Sequence, residues 1–158
     1  MNDLGSYVSA ACESIESAMS QKRWDEAQAL IEGLLGSIPN CWSSLIETPK
    51  TIKGSFWDME EFMAYSRHFN ARGKPIAWVN DSYSKLWWHL AVIKKNQKLY
   101  QKAVECILRG LRLEPDHPCL WVQLGLTLTS VGQLELALLA FEKARDVKPN
   151  PNLELFID

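Results

Sequence analysis

The chain has 158 residues, 47% hydrophobic and 23% charged, the composition of one globular domain with room for a sizeable core. Its formal net charge is −2 and its basic residues are scattered, so it lacks the basic face that nucleic acid or an anionic membrane would require. No run approaches the roughly 20 apolar residues that cross a bilayer, and MNDLGSYVSAACESIES carries acids where a signal peptide carries basic residues, so a cytoplasmic protein is expected.

Leu4, Val8, Ala11, Ile15, Ala18 and Met19 recur every three or four positions and predict a helix over residues 3–20. RWDEAQALIEGLLGSIP continues with a second helix over about 23–37, apolar at Trp24, Ala27, Ile31 and Leu34. Residues 40–83 lose this pattern. CWSSLIETPKTIKGS predicts a short helix at 41–47, because Pro49 and Gly54 stop anything longer. From Phe56 to Phe69, Met59, Phe62, Met63 and Phe69 oppose Asp58, Glu61 and Arg67, which predicts an amphipathic helix. PIAWV begins with proline, is rich in β-branched and aromatic residues, and reads as extended.

Asn80 or Asp81 is the expected cap of a helix running to about residue 96, paired with one over about 99–113. A final pair is expected over about 118–130 and 133–147, with Gly132 at the turn. In the tail PNPNLELFID, Pro151 suits a first helical position and Leu153, Phe156 and Ile157 share one side; residues 150–158 are expected to cap the last helix.

Aligning Trp87 with Trp121 sets a gapless period of 34 residues. Leu90 then falls on Leu124, Ala91 on Gly125, Tyr100 on Leu134, Ala103 on Ala137, Ile107 on Phe141, Gly110 on Ala144 and Pro115 on Pro149. Small residues recur where two helices cross closely, and tryptophan fills the space beside them. A constant offset of 76 places Trp24 under Tyr100, Ala27 under Ala103, Ile31 under Ile107 and Pro39 under Pro115. The chain therefore divides into one domain of repeats at about 8–39, 84–115 and 118–149, a degenerate segment at 40–83 taken as a distorted repeat with an insertion, and the cap at 150–158.

Trp121, Leu124, Gly125, Leu128, Gly132, Leu134, Ala137, Phe141, Ala144 and Pro149 resemble the tetratricopeptide repeat at every signature position, with leucine for tyrosine at two. Trp87, Leu90, Ala91, Tyr100, Ala103, Ile107 and Pro115 resemble it in the preceding copy, which departs at Lys94, Lys98 and Gly110. The resemblance implies an all-α, right-handed superhelix of stacked helix-turn-helix repeats with an irregular second repeat. It implies a non-catalytic protein-interaction module that binds a partner helix or peptide in a concave groove.

In that family the first helix of each pair lines the groove, which here implies Lys85, Trp88, Val92, Lys95 and Asn96, then Cys119, Val122, Leu126, Thr129 and Ser130. Both helices are apolar nearly all round, so something covers this second face. Segment 40–80, with Trp57, Phe62, Met63, Tyr65 and Trp78, is one occupant. A partner segment anchored on Trp88, with Lys85 and Lys95 at the rim, is another; self-association into a homodimer through the groove or the stack end is the third.

Cys12, Glu16, Cys119 and Gln123 stand where the family's carboxylate-clamp members carry Lys, Asn and Arg, so no clamp is expected. Size and charge also suit a small bacterial secretion-type chaperone built on such repeats. Cys12, Cys41, Cys106 and Cys119 form no CxxC pair and have no histidine at zinc spacing, so no metal or cofactor is expected. Glu60, Glu61 and His68 read as solvated charge on one helix, His117 as a turn residue without an evident partner, and His89 as a neighbour of the groove. No phosphate loop, GxSxG or HExxH pattern points to an enzyme.

Overall fold

The computed structural model describes residues 3–38, 42–79 and 82–146. Among them the order is α1 (Asp3–Ser20), α2 (Trp24–Leu35), β1 (Leu45–Glu47), β2 (Ile52–Gly54), α3 (Met59–Ala71), β3 (Ile76–Trp78), α4 (Tyr83–Asn96), α5 (Tyr100–Leu113), α6 (Pro118–Ser130) and α7 (Leu134–Asp146). Six of these helices form the hairpins α1–α2, α4–α5 and α6–α7, which stack with α2 on α4 and α5 on α6. The result is an all-helical solenoid. A single apolar core threads it from Val8 and Ile15 through Ile31 and Ile93 to Ile107 and Leu120.

The periodic residues do what their spacing requires. Ala91, Ala103 and Ala137 are 0–2% exposed at the crossings. A Cβ on Gly110 would lie 2.9 Å from Leu120 Cδ2 and 3.2 Å from Trp87 Cβ, so helices α4, α5 and α6 meet at that glycine. Lys22, Lys98 and Gly132, related by the offsets of 76 and 34, all take left-handed backbone at φ 57°, 60° and 80° in the turns between paired helices. Glycine adopts that conformation freely, whereas each lysine gives up about 1–2 kcal/mol.

The span 40–83, expected as an irregular helical pair, holds one helix and three short strands among its described residues ahead of α4. β1 pairs antiparallel with β2, and β2 pairs parallel with β3 across α3. The expected short helix at 41–47 is instead β1, while PIAWV supplies β3 as expected. Thr48 and Thr51 close the β1–β2 turn through Thr48 N to Thr51 O at 2.8 Å, with Pro49 at the turn position its fixed φ favours. Local turn chemistry outweighed the helical pattern here. Phe56 packs on Phe62, Tyr65 and Trp78 at centroid distances of 5.5–6.3 Å, giving this ββαβ lobe an aromatic core of its own.

Because α2 lies directly on α4, the lobe is looped out of the stack rather than layered within it. Asn80 and Asp81 lie outside the described residues, as does the expected cap at 150–158. Ser82 caps α4, its Oγ accepting from Lys85 N at 3.3 Å.

Candidate functional site

The residues expected to line the groove fall on two helices, and seven of the ten show the contrast between them. On α4, Lys85, Trp88, Val92 and Lys95 are half-buried; on α6, Val122 and Leu126 are 40% and 42% exposed, and Thr129 is exposed. Thr129 spends its hydroxyl on Gly125 O at 2.8 Å. α6 contains no charged residue, so its open face is apolar and neutral.

Trp57 accounts for the difference on α4. It sits in the loop between β2 and α3, is 8% exposed, and meets Trp88 edge-on at 5.8 Å. Its indole lies flat on His117 at 3.8 Å with 16° between the planes, and its Nε1–H donates to Glu114 Oε2 at 3.3 Å. Lys85 Nζ donates to the Trp57 carbonyl at 2.7 Å and pairs with Glu16 at the same distance. One side chain of the lobe thus covers the Lys85–Trp88 end of the expected groove. The other large apolar residues named for the segment go elsewhere: Phe62, Tyr65 and Trp78 pack with Phe56 in the lobe, Trp78 staying 37% exposed, and Met63 is 43% exposed.

Glu61 and His117, read differently in the sequence, and Glu114, not singled out there, complete the arrangement. Glu61 does not stand as solvated charge. Asp58 caps α3 by accepting from Glu61 N at 2.8 Å, while Glu61 Oε2 accepts from Trp57 N at 2.9 Å. This near-reciprocal pattern resembles a capping box and fixes the loop that carries Trp57. His117 is no idle turn residue either: its Nδ1 accepts from Cys119 N at 3.2 Å to cap α6, and its Nε2 faces Glu61 Oε2 at 3.5 Å. Glu114, 3% exposed, also accepts from Ser84 Oγ at 2.7 Å. The run S-x-W-D-x-x-E at 55–61 lies at the start of the amphipathic helix read in the sequence, but its aim across the fold was not legible there.

Glu61, Glu114 and His117 bring ligand-type atoms within 4.8 Å of one another. The capping bond decides their chemistry. A neutral imidazole that accepts at Nδ1 carries its proton on Nε2, so His117 faces Glu61 as a donor. Ligating a metal through Nε2 would require the Nδ1 cap to be given up. The trio is better suited to fastening the Trp57 loop than to holding an ion.

His89 is 7% exposed, and neither ring nitrogen has a hydrogen-bond partner. Burial, assisted by the Lys85 charge and opposed by Glu16, lowers its pKa to about 4, so it is a neutral core residue under the groove.

The family model of the tetratricopeptide repeat matches residues 84–117 and 120–151. These two segments are similar to that repeat. Repeats of this family serve in general as protein-interaction scaffolds without catalysis of their own. A solved structure, MamA MSR-1 C2, is similar over 89% of this chain and 76% of its own length, at 14% identity and a TM-score of 0.41. No curated protein matches the sequence. Among the described residues, no helix is long and apolar enough to cross a membrane.

Proposed function

We propose that this protein is a non-catalytic interaction module whose repeats receive an apolar helix or peptide of a partner along the open face of α6. The observation that carries this reading is the neutrality of α6 combined with Val122 and Leu126 left 40% and 42% exposed, one helical turn apart. Val92 and Lys95 extend the face onto α4, while Lys85 and Trp88 are engaged by the protein's own loop. With Lys95 the one charge among Val92, Lys95, Val122 and Leu126, this contact surface gains most of its affinity from apolar burial, so partner binding should largely persist in high salt. Affinity capture from the native source tests the assignment: Leu126→Glu should abolish capture of the partner, and Trp88→Ala should weaken it less. Capture that survives Leu126→Glu would place the interaction on another face.

Self-association is the second reading, favoured by α7, where Leu134, Leu136, Leu138 and Leu139 are 52–64% exposed. Leu134 and Leu138 occupy the register of Tyr100 and Val104, which are half-buried. Light scattering across concentrations separates the readings, since a dimer that Leu138→Glu dissociates and Leu126→Glu leaves intact belongs to the stack end.

A further inference from the structure

Trp57 is held as a ligand side chain would be held. The groups that touch its indole and its carbonyl, Lys85, Trp88, Glu114 and His117, all belong to α4 and to the turn between α5 and α6. From the lobe come the tryptophan itself and Glu61, which accepts from its backbone N–H. Phe56, Phe62, Tyr65 and Trp78 pack on one another within the lobe, whereas Trp57 joins the apolar core of the repeats.

The chemistry of the surface is selective. A flat imidazole face accepts any aromatic ring, but the Glu114 carboxylate, itself 3% exposed, is positioned on the indole N–H and would lose that donor beneath phenylalanine. Lys85 adds a requirement for a main-chain carbonyl beside the ring.

We propose that Lys85, Trp88, Glu114 and His117 form a tryptophan-recognition site on the repeats, filled in this chain by its own Trp57. Its ligand class is a tryptophan side chain with an adjacent main-chain carbonyl. A partner segment of that chemistry enters by displacing the β2–α3 loop. The loop competes as a tethered ligand at an effective concentration on the order of millimolar, so it acts as a threshold that only a tightly bound tryptophan passes. This site is separate from the Val122–Leu126 face and stands or falls independently of it.

The test uses the full chain with Trp57→Ala, titrated with N-acetyl-tryptophanamide, which supplies the indole and the carbonyl, and with N-acetyl-phenylalaninamide, which lacks the N–H. The variant should show a saturable rise in thermal midpoint, with shifted Trp88 and His117 resonances, for the tryptophan compound. The phenylalanine compound should bind about 10-fold more weakly. The wild type, already occupied, should show neither change at the same concentrations. A helical variant that shows no saturable binding, that binds both compounds alike, or whose binding the wild type matches would overturn the proposal. If Trp57→Ala does not fold, Trp57→Phe replaces it: amide exchange over 55–62 should quicken about 5-fold while α6 and α7 keep wild-type rates, and unchanged exchange would count against the site.

Discussion

The stack α4–α7 and the lobe at 42–79 are built on opposite principles. In the stack the crossing positions repeat every 34 residues and are buried in both copies at Leu90 and Leu124, Ala91 and Gly125, and Ala103 and Ala137. In the lobe no position is repeated. Its shape rests on one turn at Thr48–Thr51, a capped helix start at Asp58, and four aromatic rings that fit one another. The stack therefore spreads its stability over recurring contacts, whereas the lobe is fastened to it through Trp57 with its neighbours and through Trp42, which meets Tyr83 of α4 edge-on at 5.7 Å.

The largest effect should come from the centre of the stack. Ile107 is fully buried, and Ile107→Ala should cost about 2–5 kcal/mol. Calorimetry should record this as a lower midpoint of the main unfolding transition. A loss confined to the lobe would show that the two regions do not differ in the way described.

Acid should act on the same region with the next largest effect. The folded state holds His89 neutral with a pKa of about 4, whereas the unfolded chain takes up the proton near the ordinary 6.5. Stability is thus fully present above pH 6.5 and falls as pH drops towards 4, by about 3 kcal/mol in all. Denaturant titrations at both ends of that window check the value, and His89→Leu should flatten most of the slope.

Ala137→Leu probes the close crossing of α6 and α7. Ala137 is 2% exposed, and the added volume should cost about 1–3 kcal/mol in thermal stability. An unchanged melting curve would be incompatible with the packed pair. The smallest effect is a gain. Lys98→Gly should stabilise by up to about 1 kcal/mol, because it releases the left-handed strain that Gly132 avoids at the same register.

These contrasts also mark what the sequence could convey. Helices α1, α2 and α4–α7 were readable because periodicity encodes which face of each is buried, and α3 because Met59, Phe62, Met63 and Phe69 oppose Asp58, Glu61 and Arg67. Strand β1 was misread as helix, since three residues carry too little pattern to outweigh a neighbourhood of helical composition. The groove residues on α6 were named from the positions that the resemblance to the repeat family implies, and Val122, Leu126 and Thr129 among them are exposed. The covering of Trp88 could not be read in the same way. It depends on a contact between Trp57 and residues 31 to 60 positions away, and no periodic signal links a loop to the repeats it crosses. His117 and Glu114 were obscured for the same reason: both sit in an inter-repeat turn, where charge is ordinary, and only the arrival of the indole gives them a common role.

The central claim is that the expected groove is divided, with its Trp88 end closed by Trp57 and its Val122–Leu126 end open. Through-space proton contacts in the NMR spectrum of the intact protein test it most directly. The Trp57 indole should show contacts to the Trp88 and His117 rings and a slowly exchanging Nε1 proton. A Trp57 indole that lacks both contacts and exchanges its proton at the rate of free indole would contradict the account.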